Sequence, residues 1–224
     1  MKSNSNRILG AIVILQLAFA GLALAIENFL FKSGSAGFGA LAILMLAASA
    51  KWKKTELWYA LVAFVFSIGG DYFLSHRNGE LMMFIYGIGL FFIAHLGYLG
   101  YALYHGRLSR MGTLLITVGY LIFFFVGLYP GIPDPILLWA ALAYLLVSCI
   151  SMGAALGIKA DLPGKPWYVG GITLIVFSDT LIALREFMQV TEWDFLVLPT
   201  YYAAHILVTV AAWKIFQFQL KHNL

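Results

Sequence analysis

The sequence predicts an all-α fold, a polytopic membrane bundle of eight transmembrane helices, and three observations carry that expectation. Of the 224 residues, 62% are hydrophobic and 11% charged, against roughly 45–50% and 25% in a soluble domain. So few charges do not coat a soluble surface. The apolar residues fall into runs near the ~20 needed for a helix to cross about 30 Å of hydrocarbon. The charges gather between those runs, and the basic ones fall almost entirely on one side.

The runs are Ile8–Ile26, Gly34–Ala50, Leu57–Ser75, Leu81–Tyr104, Met111–Leu128, Ile136–Ile158, Trp167–Leu184 and Phe195–Phe218. They read as one membrane domain over residues 1–224, with possible repeat halves 1–107 and 108–224. The first run has the basic start and small-residue triplets of a signal peptide, Ala18-Phe19-Ala20 and Ala23-Leu24-Ala25. Its apolar stretch is longer than a signal core, so it reads as an uncleaved helix. The second is expected to open at Gly34, because Ser33-Gly34-Ser35-Ala36-Gly37 resembles a break. With the N-terminus inside, the cytoplasmic segments collect eleven basic residues and the outer loops hold three, Lys32, Arg77 and Arg185. This bias puts both termini in the cytoplasm, and it explains the net charge of +4 without a nucleic-acid partner. The lone Cys149 lies inside an apolar run, where it allows neither an internal disulfide nor a CxxC metal site.

Polar residues inside the spans repeat. The third and fourth spans carry Asp71 and Phe91-Phe92-Ile93-Ala94-His95, and the seventh and eighth carry Asp179 and Tyr201-Tyr202-Ala203-Ala204-His205. The Asp-to-His intervals are 24 and 26 residues. Four spans separate the copies, so a duplication would relate them by an axis along the membrane normal. Ionisable groups inside a span are costly and mark functional sites. Counted at 1.5 Å per residue, both aspartates lie about 20 Å above the cytoplasmic helix starts. Two carboxyls at one depth suit acid and base work, since low dielectric and mutual repulsion favour keeping one proton on the pair. The structural alternative is that each Asp bonds a neighbouring helix through Ser67, Ser75, Ser178 or Thr180. Tyr98, Tyr201, Tyr202 and Thr209 line the histidine faces, suited to holding a polar head or orienting a carboxylate. A satisfied interhelical bond is as plausible a role for either histidine.

Other chemistries fit less well. A zinc hydrolase would draw on Asp71, His95 and His205, but no HxxH or HxxxH spacing puts two ligands on one helix face. No GxSxG nucleophile motif occurs. Ile68-Gly69-Gly70-Asp71 departs from the GxGD motif of intramembrane aspartyl proteases. Lys214 is too near the cytoplasmic end for a retinal lysine. Gly153-Ala154-Ala155-Leu156-Gly157 is a GxxxG, read as a close-packing face. Gln16 and Glu27 in the first span are weaker polar candidates.

Gly70-Asp71 followed by Leu74, Tyr86-x-x-Gly89-x-Phe91-Phe92-x-x-His95-x-x-Tyr98, Phe177-Ser178-Asp179 followed by Leu181, and Tyr201-Tyr202-x-x-His205 together resemble the YhhN family of membrane proteins, which includes the lysoplasmalogenases. Members often open the second helix with Lys-Pro, where this chain has Lys32-Ser33. The resemblance implies hydrolysis of the vinyl ether bond of a lysoplasmalogen to a fatty aldehyde and glycerophosphoethanolamine or glycerophosphocholine. Asp179 would act as acid, being taken as the more buried group, and Asp71 as base. His95, His205, Tyr98, Tyr201, Tyr202, Lys32 and Glu27 would bind or support the substrate, with no metal and no cofactor. Among charges at the outer rim, Lys32, Arg77 and Arg185 would meet a phosphate, and Glu27, Glu80 or Glu186 an amine. The implied partners are a lysophospholipid and membrane lipids, and nothing calls for nucleic acid or an obligatory protein partner. The expected location is a bacterial inner membrane. The leading non-enzyme alternative is a proton-coupled lipid or small-solute transporter, which needs a path open alternately to both faces where a hydrolase needs one pocket.

The charge bias makes one testable prediction. A reporter active only outside the cytoplasm, fused after Leu224, should stay silent, and strong activity would sink the eight-span topology.

Overall fold

The computed structural model describes residues 2–26 and 28–222, with side chains from residue 7 onward. Glu27, one of the candidate residues, lies outside the described set. Eight long helices follow in chain order: α1 (Lys2–Ala25), α2 (Phe29–Ser49), α3 (Thr55–Ser75), α4 (Leu81–His105), α5 (Arg110–Phe123), α6 (Pro135–Leu156), α7 (Lys165–Met188) and α8 (Val197–His222). Each is long and apolar enough to cross a membrane, α5 together with the turns that extend it to Gly131. Closing all backbone bonds within a helix is what hydrocarbon demands, since it offers no water to an open N–H or C=O.

Two helix boundaries differ from expectation. α2 starts at Phe29, five residues before Gly34, because Asn28 caps it by accepting the Leu30 N–H at 2.8 Å. Ser33 does not break the helix, since its hydroxyl bonds back to the Phe29 carbonyl at 2.9 Å. Gly34 and Gly39 are there for contact: a Cβ on either would run into the ring of Phe19 or Phe64. Lys32, expected in an outer loop, therefore sits in the first turns of α2. The fifth span also departs from a plain helix, widening at Phe124–Leu128 into a π turn and tightening at Tyr129–Gly131 into a 3-10 turn.

α8 runs through the middle of the bundle and packs on α7, α2, α1 and α3, while α4 packs on α3 and α6. The main apolar cluster joins α2, α3, α4, α7 and α8 around Phe64, Ile43, Ile172 and Val208. A second cluster fills the space among α4, α6, α7 and the π turn, with Phe84, Phe124, Leu128 and Leu145. α5 itself buries no residue fully, so it covers that second region loosely. The contact of α2 with α8 is matched by that of α4 with α6. We propose on this ground that residues 1–107 and 108–224 are tandem copies, since a duplication makes those two contacts equivalent.

The GxxxG of α6 is a packing face as expected. A Cβ on Gly153 would collide with Thr113 of α5, and one on Gly157 with the Arg107 carbonyl in the α4–α5 connection. Both approaches carry backbone bonds, Ser109 N–H to the Gly153 carbonyl at 3.1 Å and Arg107 N–H to the Gly157 carbonyl at 3.0 Å. Gly153→Leu should therefore separate α5 from α6 and cost about 1–3 kcal/mol, as overpacking does. A thermal unfolding midpoint in detergent unchanged from wild type would contradict this packing.

Candidate functional site

Three elements bring the central group together. Asp179 on α7 directs Oδ2 at two donors from other helices: the Tyr144 hydroxyl of α6 at 2.7 Å and His95 Nε2 of α4 at 3.4 Å. The first is short, as expected for a hydroxyl on a carboxylate oxygen. His95 is almost fully enclosed, with 2% of its side chain exposed, whereas Asp179 keeps 18%. The His95 ring is held edge-on between Tyr144 at 5.3 Å and Tyr98 at 5.9 Å, measured between ring centres. The serine and threonine beside Asp179 are engaged elsewhere, Ser178 with the Val197 carbonyl and Thr180 with Val176 and Tyr120. Asp179 is thus not held by its own helix neighbours.

Asp71 on α3 has different company. Tyr201 and Lys32 lie within electrostatic reach of its carboxyl. Its Oδ2 is enclosed and has no hydrogen-bond partner among the described residues. Tyr98 interacts electrostatically with both aspartates, and its buried hydroxyl has Ser67 beside it. The Tyr201 hydroxyl faces Asp71 and Ser67, whereas the Tyr202 hydroxyl and both ring nitrogens of His205 are buried with no hydrogen-bond partner among the described residues. His205 packs on the rings of Tyr201 at 4.4 Å and Phe64 at 5.4 Å. Buried polar atoms are nearly always partnered in proteins, so this concentration around Asp71 marks a region suited to a polar guest. Thr209 does not belong to it, since it bonds the His205 carbonyl and receives Gln16 Nε2 at 3.1 Å in a contact that ties α1 to α8.

Beside Asp179 runs a narrow groove with about 90 Å³ of accessible space, lined by apolar side chains such as Phe84, Phe91, Phe124, Leu128 and Leu145. Asp179, Tyr144, Tyr120, Thr180 and Ser148 are the polar residues on its wall. Asp71 is not on that wall. Phe84, Leu128 and Phe187 lie near the helix ends away from the basic loops, and Asp179 and Ser148 lie deeper. Pockets for small molecules share this mix of apolar wall and few polar groups.

Tyr144, which bonds Asp179 on the groove wall, is the residue of the candidate site that sequence reading missed. Its signal was weak, one tyrosine in an otherwise apolar run. Among the described residues no group of three His, Cys, Asp or Glu side chains is gathered for a metal. Asp71, His95 and His205 do not converge, because His95 turns to Asp179 while His205 stays among rings.

Fold and site together define a multi-pass integral membrane protein with a buried carboxyl beside an apolar groove. Residues 28–212 match the YhhN family, and the chain belongs to it. Lysoplasmalogenase TMEM86B of Rattus norvegicus is similar, 34% identical over 134 residues that cover 58% of this chain and 52% of that protein. The chain thus spans about half the length of that curated relative. No solved structure matches it.

The groove makes its own prediction. A single-chain amphiphile carrying a photoreactive group in mid-chain should crosslink to peptides holding Phe124 or Leu145. Labelling confined to α1 and α2 would show that the chain lies elsewhere.

Proposed function

We propose that this protein is an intramembrane ether hydrolase acting on the vinyl ether bond of a lysoplasmalogen. The observation that carries the proposal is the Asp179 carboxyl on the wall of an apolar groove, held by Tyr144 and His95. One alkenyl chain fits such a groove and leaves its head toward the face opposite the basic loops. The name of the rat relative supports the same reading. A groove lined from one end of the helices suits a hydrolase better than a transporter's alternating path.

The reaction begins with proton transfer from Asp179 to the β-carbon of the vinyl ether. The π electrons form the new C–H bond, and the ether carbon becomes an oxocarbenium ion. The Asp179 carboxylate left behind stabilises that cation, by the logic of carboxyl pairs in glycosidases. Water adds to the oxocarbenium carbon while Asp71 takes its proton. The resulting hemiacetal then collapses, its hydroxyl proton passing to the leaving oxygen, to give the fatty aldehyde and the glycerol hydroxyl. Proton return from Asp71 to Asp179 resets the pair, so each turnover consumes one water and no net proton.

Burial alone would select Asp71 as the acid, since its Oδ2 is enclosed and Asp179 is partly exposed. Contact selects Asp179, because an acid that protonates carbon must touch it, and Asp179 faces the groove. Tyr98 interacts electrostatically with both carboxyls. His95 and Tyr144 act as positioning residues on Asp179. Tyr201, Tyr202 and Lys32 lie within electrostatic reach of Asp71, and His205 packs on Tyr201.

Asp179→Asn and Asp71→Asn keep shape but lose the proton, and each should lower aldehyde release by about 10²–10⁴-fold. Tyr144→Phe should cost less, about tenfold, as loss of one hydrogen bond to a charged group does. In deuterated water, turnover should slow and the aldehyde should carry one deuterium at its α-carbon, with chelator having no effect. Full activity of both Asn variants would remove the pair from the mechanism, and activity lost with chelator and restored by zinc would point to metal hydrolysis.

A further inference from the structure

At the outer end of the groove a cluster of charges is built onto its apolar wall. Arg77, in the turn after α3, gives Nη1 to Glu186 Oε2 at 2.6 Å and lays its guanidinium 4.7 Å from the centre of the Phe84 ring. Phe84 and Phe187, 6.2 Å apart, both line the groove, and Glu186 is the residue before Phe187. The other Glu186 oxygen is taken by Arg185, with Nε and Nη2 each at 3.0 Å. One carboxylate is therefore shared by two guanidiniums, and the Arg185 contact to Asp194 is long, at 4.0 Å. Arg77 keeps 31% of its side chain exposed while Glu186 keeps 13%. The acid is thus the buried support and the guanidinium the accessible part. An arginine has five N–H donors in a fixed fork that matches phosphate oxygens.

We infer that Arg77, held from below by Phe84 and from the side by Glu186, is the anchor for the phosphate of a single-chain lipid whose tail fills the groove. The inference rests on the proposed substrate class and adds the residue that reads its head. The ligand chemistry is a phosphate monoanion joined to an apolar chain. Glu186 is a positioning residue for Arg77, and both its oxygens are already engaged, so it does not serve as an amine acceptor. Lys32 is assigned to the Asp71 side, away from this anchor.

The test is equilibrium binding to the full chain in maltoside detergent, which carries no phosphate. The probes are an alkyl-ether lysophosphatidylcholine, which resists cleavage, and the 1-alkylglycerol of the same chain length. Wild type should bind the phosphate-bearing lipid about tenfold more tightly or better, in keeping with a charged hydrogen-bonded contact. Arg77→Gln should erase that preference while leaving alkylglycerol binding unchanged, and Arg77→Lys should keep part of it. Glu186→Gln should reduce the preference by a smaller factor. Chainless glycerophosphocholine should compete at least a hundredfold more weakly than the lysolipid, and competition on equal terms would identify a free-phosphate site instead. Equal binding of the two lipids by wild type, or equal loss of both in Arg77→Gln, would overturn the assignment. Because binding needs no turnover, a protein that binds as described and releases no aldehyde would reject the hydrolase reading and retain the anchor.

Discussion

A carboxyl in hydrocarbon has no water to lean on, and the arrangement around Asp179 follows from that constraint. Tyr144 reaches it from α6 and His95 from α4, so three helices are tied at one oxygen. A polar group in hydrocarbon without its hydrogen-bond partners costs about 1–3 kcal/mol, which makes the relative positions of these helices matter more than in an apolar contact. The rings of Tyr98 and Tyr144 in turn keep the His95 imidazole from swinging away. Tyr98 is itself fixed from behind, since its carbonyl receives the Tyr168 hydroxyl at 2.6 Å.

The two aspartates occupy corresponding places in the sequence but not in chemistry. Asp179 borders the groove in contact with Tyr144 and His95, while Asp71 is set back among tyrosines with a lysine nearby. Pairing also crosses between the halves: His95, from the first half, meets Asp179 of the second. Such crossing ties the halves to each other at the candidate site.

Much of this was legible in the chain. The eight spans follow from hydropathy because hydrocarbon imposes one simple length rule, and Asp71, Asp179, His95 and His205 were conspicuous as polar residues in apolar runs. The start of α2 was misread because serine and glycine signal breaks in water, whereas here Ser33 bonds back and Gly34 admits the Phe19 ring. Counted at 1.5 Å per residue from Leu81, His95 falls about 21 Å below the outer start of its helix, nearer the cytoplasm than Asp179, yet the two meet. The count assumes upright helices of common start, and packing sets tilt and offset instead. Tyr144 was hidden because a tyrosine counts as aromatic filling until its hydroxyl is seen to have a partner. The groove had no linear signature, being walled by residues from five helices and a π turn.

That π turn, Phe124–Leu128, has a consequence for the shape of the bore. A π turn holds one residue more than α-helical winding would, and one residue corresponds to about 100° of rotation. The end of the span is thereby turned relative to its beginning, and Phe124 and Leu128 reach the same wall as Tyr120. Beyond it, Gly131 lies directly on the Phe187 carbonyl, where no side chain would fit. The calibre of the channel is thus written in backbone winding as well as in side-chain bulk. A single-codon deletion in this stretch would recut the wall along its length, a larger change in admissible tail shape than any one substitution could make.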